Sequence, residues 1–376
     1  SSAASDVYKR QPINEASSYG AILLFGYAFS QFLFAPVLGN LSDQFGRRPI
    51  LLLSLFGFSI NYLLLAWAPS FFWLIIGRIV AGVAGSSVST AGAYIADVST
   101  EETRAKNYGM VGAAFGLGFI IGPAVGGLVA SLGVRAPFYA AAALCLLNGL
   151  YGYFILPESL SLENRRKFNW KRANPFGALK IFLSHPTVAR LAIVYFLIYL
   201  GAQAVQSTWS YFTMYRFGWN EKLVGISLAV VGLLVAVVQS VLVRVINPKI
   251  GNEKSIYIGL SFYTVGLFSF AFASMGWMMF VFLIPYCLGG LAGPSLQSKL
   301  ASLLPANMQG ELQGALTSLM SLTAILGPLI MNNLFAYFTR PDSTIHFPGI
   351  AFFLGSLAML SSLIISKLTF SRPNAR

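Results

Sequence analysis

Eleven predominantly apolar stretches, each long enough to cross about 30 Å of hydrocarbon as a helix, dominate this chain. They fall at roughly 19–38, 50–68, 71–95, 108–130, 137–155, 190–213, 222–245, 255–274, 278–299, 312–338 and 349–366. In lipid every backbone polar group must be satisfied within its own helix or around a closed barrel. The alternating ten-residue segments of barrel strands are absent, so the runs are read as helices. Charged residues make up 10% of the chain, against about 25% in an ordinary soluble domain. The fold class expected is an all-α membrane protein.

The formal net charge of +13 invites a nucleic-acid reading, but the basic residues are scattered through short loops and form no single patch. No nucleic acid is expected as a partner. Placing the loop 39–49 inside and following the alternation puts eighteen Lys and Arg residues in inside loops and four in outside loops. That bias orients the chain, with the loop 39–49, the central loop and the C-terminus cytoplasmic. Cys145 and Cys287 both lie in apolar runs, which excludes a disulfide framework and a cysteine metal site. His185 and His346 sit in loops without a spaced partner and are read as solvated. The glycines of 116–122 have the wrong spacing for a dinucleotide motif, and no Walker sequence is present. No catalytic residue, metal or cofactor is expected.

The segment 156–189 is the one long polar loop and reads as a cytoplasmic linker between an N-terminal bundle, 19–155, and a C-terminal bundle, 190–367. A tail, 368–376, follows. Residues 1–18 are polar and lack both a Met and a signal-like apolar core, and read as a non-native leader. Phe45-Gly46-Arg-Arg-Pro49 has a faint echo in Ile250-Gly251-Asn-Glu-Lys254, and Ile121-Gly122-Pro123 in Leu326-Gly327-Pro328, both 205 residues later. At that offset the last six runs map onto the first five and one that would precede residue 1. The expected architecture is therefore two pseudo-symmetric six-helix bundles related as parallel repeats, with eleven of twelve helices present and the first missing.

Four groups of residues stand out. In the turn 39–49, Gly39 and Gly46 permit tight backbone geometry, Asp43 can accept from a helix amino end, and Arg47 and Arg48 can bind carboxylates bidentately. The turn is read as a conformational latch; a purely topogenic basic loop is the bland alternative. Arg78 is the only charge inside an apolar run, so it must face protein or a water-filled cavity, as a functional group or as a carbonyl-bonded structural arginine. Gly118, Gly122 and Gly126 recur every four residues beside Pro123 and Gly127, a face that would let another helix approach closely. Tyr199, Gln203, Gln206, Ser207 and Ser210 form one polar stripe with Trp209 close by, read as lining a substrate cavity, with helix–helix hydrogen bonding as the alternative. Gln31, Asn61, Gln239, Tyr263 and Gln297 are weaker candidates of the same kind.

Gly39-x-Leu-Ser-Asp43-x-Phe-Gly46-Arg47-Arg48-Pro49 resembles the signature loop between helices two and three of the major facilitator superfamily. Gly77-Arg78-x-x-x-Gly82 is similar to its fourth-helix arginine motif. Gly118-x-x-x-Gly122-Pro123-x-x-Gly126-Gly127 is similar to the fifth-helix motif of its drug/H⁺ antiporters. Phe115-Gly-Leu-Gly118, Arg216-Phe-Gly-Trp-Asn220 and Gln309-Gly-Glu-Leu-Gln-Gly314 resemble the tetracycline-efflux subfamily. The resemblance implies a secondary transporter, monomeric, in a bacterial inner membrane, expelling a drug-like small molecule in exchange for protons, with Arg78 on the proton pathway. It departs at Asn61, Val235 and Tyr263, where tetracycline antiporters carry a carboxylate, a His and an Asp. All twelve Asp and Glu residues lie outside the apolar cores of the runs. A solute importer or facilitator of the same fold is the alternative; a non-transporting scaffold or sensor is a third.

Overall fold

A computed structural model describes residues 13–133, 135–175, 180–182, 186–340, 343 and 345–371. Thirteen helices run through these residues: α1 (Ile13–Phe45), α2 (Arg47–Trp67), α3 (Phe71–Gly85), α4 (Ser87–Asp97), α5 (Glu101–Ala130), α6 (Ala136–Ile155), α7 (Pro186–Phe217), α8 (Glu221–Val237), α9 (Val243–Ala271), α10 (Gly276–Leu288), α11 (Ala292–Ser302), α12 (Gln309–Phe338) and α13 (Ile350–Phe370). Eight continuous stretches among the described residues are long and apolar enough to span a membrane, and one of them, Lys222–Ala271, covers two of the expected runs. Helix α1 includes residues 13–18, so part of the expected leader 1–18 is helical. His185 lies outside the described residues, while His346 Nε2 is 3.4 Å from the Tyr215 hydroxyl.

The internal repeat is carried by the backbone more faithfully than by the side chains. Gly46 separates α1 from α2 at φ 100° and ψ 163°. Gly251, 205 residues later, interrupts α9 at φ 79° and ψ 169°. This region of conformational space is open to glycine and strained for residues with a Cβ. Helix α3 gives way to α4 at Ser86, and α10 to α11 through a 3₁₀ turn, Gly289–Leu291. The starts and the end of the second pair follow the first by the same 205 residues. Each break is served by a glutamine: Gln31 Nε2 donates to the Gly85 carbonyl at 3.2 Å, and Gln239 Nε2 to the Gly290 carbonyl at 3.2 Å. Gln239 reaches its partner from a π turn, Val238–Leu242, the kind of local insertion that re-aims a side chain within a helix.

The helices group into two compact units. One contains residues 1–98, 122–181 and 305–322; the other contains 99–121, 182–304 and 323–376. The boundaries expected at 155 and 190 therefore differ from the compact grouping, because α5 and α12 are each divided. Within the first unit the start of α12 is held by close backbone approach at small residues. In the first unit α2 packs on α6 and α1 on α3, and the Gly39, Gly310 and Gly314 positions bring α1 and the start of α12 together: a Cβ at Gly314 would lie 2.9 Å from the Ala35 carbonyl oxygen. In the second unit α9 and α13 pack on each other and α13 on α7. Its core is aromatic: Trp209, Phe212, Phe270 and Phe352 are buried edge to face, and the Trp209 indole donates to Ser227 Oγ at 2.9 Å. Large apolar side chains elsewhere point outward, Phe154 at 78% exposure and Leu147 at 62%, as lipid requires.

Candidate functional site

The turn at 39–49 is the centre of a buried ionic network in the first unit. Arg47 is completely buried. Its Nη1 donates to Asp43 Oδ1 at 2.6 Å and to Ser42 Oγ at 2.8 Å, and its Nε to Asp97 Oδ2 at 3.0 Å. Helical spacing of four residues places Asp43 beside Arg47 once Gly46 turns the chain. Asp43 also caps the start of α12, accepting from the Gly310 N–H at 3.0 Å and the Glu311 N–H at 3.1 Å. Those are orphan donors of a helix amino end, where the macrodipole favours an anion. Asp43 is 2% exposed, and burial pushes its carboxyl above the ordinary value, against the opposing pull of Arg47 and the Gly310 N–H.

Residues from the central loop complete the arrangement. Glu158 Oε1 accepts from the Arg47, Ser159 and Leu160 N–H groups at 2.8, 3.0 and 3.0 Å, and Oε2 from the Arg48 N–H at 3.2 Å. A Cβ on Gly46 would run into the Glu158 carboxylate, so the glycine is required by its neighbour as well as by its φ. Arg166 Nη1 donates to Glu311 Oε2 at 3.1 Å and Arg172 Nη1 to the same oxygen at 3.5 Å. The Arg166 N–H donates to the Asp43 carbonyl at 2.9 Å, and the Phe168 N–H to Gln44 Oε1 at 2.9 Å. Segment 158–172 is thus a strap over the turn and the start of α12. Chemically the network can hold or release a helix end, since it joins fixed charges to free N–H groups and contains no nucleophile aimed at a substrate.

Sequence reasoning named Asp43 and Arg47 but missed Asp97, Glu158, Arg166 and Arg172. No spacing rule links them to the turn; the one signal was their charge in the loops that join apolar runs. The stretch Gln309–Gly314, noted only for its resemblance, supplies the N–H groups for Asp43 and sets Gln313 against Gly92. Arg48 departs from the expected carboxylate pairing: its Nη2 donates to the Tyr153 carbonyl at 2.6 Å and its guanidinium lies 5.4 Å over the Tyr153 ring.

The glycine face of α5 differs from expectation. Among the described residues a Cβ at Gly118, Gly122 or Gly126 would meet nothing within 4 Å, so no described helix packs closely on these positions. The approach occurs earlier, where a Cβ at Gly109 would lie 2.7 Å from the Gln239 carbonyl, one at Gly112 2.7 Å from the Gln239 side chain, and one at Gly116 2.9 Å from the Gly232 carbonyl. A stripe is legible in sequence, but which turns of it meet a partner is not. The side chain of Pro123 lies outside the described residues, and Gly127 is described only as part of α5.

Among the cavity candidates, several are committed to packing. Gln31 is 6% exposed and bonds both Gly85 and Ser321, Trp209 sits in the aromatic core at 2% exposure, Gln203 abuts Gly327, and the Tyr263 ring abuts Gly289. Ser207 Oγ donates to the Gln203 carbonyl of its own helix. Gln206 is exposed, Tyr199, Ser210 and Gln297 are half-buried, and Gln239 bonds Gly290 while its Oε1 has no hydrogen-bond partner among the described residues. Asn61 is 1% exposed and its Oδ1 likewise lacks a partner. Arg78 is half-buried and interacts electrostatically with Tyr27 and Tyr62.

Comparison with known proteins agrees with this architecture. The chain is 40% identical over 348 residues to the class C tetracycline resistance protein of Escherichia coli, covering 93% of this chain and 86% of that one. It is 30% identical to multidrug resistance protein 2 of Bacillus subtilis, over 94% of this chain and 86% of the relative. Among solved structures, the human organic anion transporter MFSD10 superposes with a TM-score of 0.83 at 25% identity, over 96% of this chain and 87% of that one. The proton:xylose symporter XylE shares the fold, with a TM-score of 0.75 at 17% identity over 96% and 88%. The Major Facilitator Superfamily pattern matches residues 11–328, and with helices, internal repeat and ionic turn all of one kind, the chain belongs to that superfamily of multi-pass membrane transporters of small molecules.

Proposed function

We propose that this transporter expels an amphipathic, drug-like molecule of the tetracycline or multidrug class across a bacterial inner membrane in exchange for protons, by alternating access. The likeness to the class C tetracycline resistance protein along 93% of the chain carries the substrate class. The Asp43–Arg47–Asp97 network supports the cycle, because a helix end held by a buried carboxylate is a two-state element: capped, or released. The loop at 39–49, the central loop and the C-terminus then face the cytoplasm, a reading that the Lys and Arg bias of the loops supports. The protein works as a monomer, each chain holding its own network.

Everted membrane vesicles from a host lacking its own pumps test this reading. Tetracycline should accumulate when an inward-acid pH gradient is applied, and the accumulation should collapse with a protonophore. Accumulation that ignores the protonophore would remove the proton coupling. A second reading, facilitated movement without proton exchange, is favoured by one observation: Asn61, an amide buried at 1% exposure, stands where tetracycline antiporters carry a carboxylate. Tetracycline equilibration without accumulation would select it.

A further inference from the structure

The stretch Arg216-Phe-Gly-Trp-Asn220 joins α7 to α8, and most of its chemistry is spent on the turn. Gly218 takes φ 65° and closes α7 by donating its N–H to the Met214 carbonyl at 3.0 Å. Trp219, 8% exposed, stacks on Phe280 with ring centroids 5.3 Å apart. Asn220 Oδ1 accepts from the Leu223 N–H at 2.9 Å and so caps α8. What the turn leaves over is a crevice of about 530 Å³, lined by Phe217, Trp219, Asn220, Lys222, Leu223 and Ile226. That volume falls in the range of about 300–1,000 Å³ that small-molecule sites occupy.

The spanning stretch Pro186–Phe217 ends at this turn and Lys222–Ala271 begins at it, which puts the crevice at a boundary of the bilayer, where headgroups meet acyl chains. Lys222, Leu223 and Ile226 lie on one side of α8, since residues three and four apart on a helix are neighbours. Ile226, one turn farther into the span, is 46% exposed. Lys222 is exposed and belongs to none of the five ion pairs among the described residues. With Asn220 Oδ1 committed to the cap, the polar side-chain groups left open in the lining are donors, the Lys222 ammonium and the Asn220 amide nitrogen. Arg216, also exposed, adds a second cation, against a single acidic residue, Glu221, between 216 and 222. Donors at the rim and an apolar wall below them match a phosphate that carries a hydrocarbon tail. We propose that this crevice binds a glycerophospholipid of net negative headgroup, its phosphate on Lys222 and Asn220 and an acyl chain along Leu223 and Ile226. A choline headgroup would bring its own cation up to Lys222 and is selected against by like-charge repulsion. The bound lipid braces the turn between α7 and α8.

Amine footprinting reads the site directly. The full chain is reconstituted in nanodiscs of phosphatidylcholine, with or without phosphatidylglycerol, and acetylation of Lys222 is followed by peptide mass spectrometry. Phosphatidylglycerol should slow that acetylation at least about fivefold relative to phosphatidylcholine alone, because a bound ligand shields the amine in proportion to its occupancy. Ile226→Gln puts an amide in the acyl wall and leaves every charge in place. It should cut the protection to within about twofold, whereas a general attraction of anionic lipid to a basic protein would survive it. Equal acetylation in the two bilayers, or undiminished protection in a folded Ile226→Gln, would overturn the site. Inorganic phosphate added to phosphatidylcholine nanodiscs should leave Lys222 reactive; protection by phosphate alone would mark a site for free anions and overturn the lipid assignment. Size-exclusion profiles establish that the variant is folded. Should Ile226→Gln aggregate, Lys222→Gln serves in its place: native mass spectrometry should find it retaining one phosphatidylglycerol fewer per chain than wild type, and unchanged retention would overturn the site.

Discussion

At the scale of single residues, Asp43 is held in an unfavourable place for a charge and a favourable one for a hydrogen-bond acceptor. Burial raises its pKa despite Arg47. A raised folded-state pKa means that the folded protein binds the proton more readily than the unfolded chain, so this group's contribution to stability grows as pH falls through the raised value and is lost above it. Asp43→Asn keeps the shape but leaves the fully buried Arg47 with Asp97 as its remaining carboxylate among the described residues. We therefore expect its thermal midpoint in detergent to fall, while tetracycline accumulation in vesicles falls at least tenfold; an unchanged midpoint with normal transport would contradict the role given to the network. Gly46→Ala places a Cβ at positive φ and against the Glu158 carboxylate, and should cost about 1–3 kcal/mol, read as a lowered denaturant midpoint.

At the scale of elements, the glycines of α5 divide into two sets that look alike in sequence. A side chain at Gly116 meets backbone of α8 at once, whereas one at Gly122 meets nothing within 4 Å. Gly116→Val should sharply reduce the monodisperse yield, and Gly122→Val should leave it near wild type; equal yields would mean that α5 packs elsewhere along its length. The two helix breaks near Ser86 and Gly289–Leu291 depend on Gln31 and Gln239. Gln31→Leu takes the side-chain donor from the Gly85 carbonyl, while the Ser321 hydroxyl keeps the Thr317 carbonyl as acceptor, and should cost about 1–3 kcal/mol by the same measurement. The repeat was visible in sequence through two faint glycine-centred echoes. Its regularity lies in backbone conformations that Gly46 and Gly251 share and in helix ends that side-chain identity does not record.

At the scale of the molecule, the proposed orientation makes a direct prediction. In a variant with Cys145 and Cys287 replaced, a cysteine at Lys167 should react with an impermeant thiol reagent only in everted vesicles, and one at Lys222 only in intact cells; the reverse pattern would invert the topology. The spanning helices, the superfamily and the ionic turn could be read from the sequence by itself, since hydrophobic length, loop charge and glycine-punctuated turns act over a few consecutive residues. The partners of that turn were not readable. Arg47 takes Asp97 from fifty residues away and its neighbour Glu158 from more than a hundred, and Asp43 takes the N–H groups of Gly310 and Glu311. Those choices follow from which helices approach closely enough to exclude water, and only the tertiary structure decides that, because an ion pair forms between groups that are near in space whatever their separation along the chain.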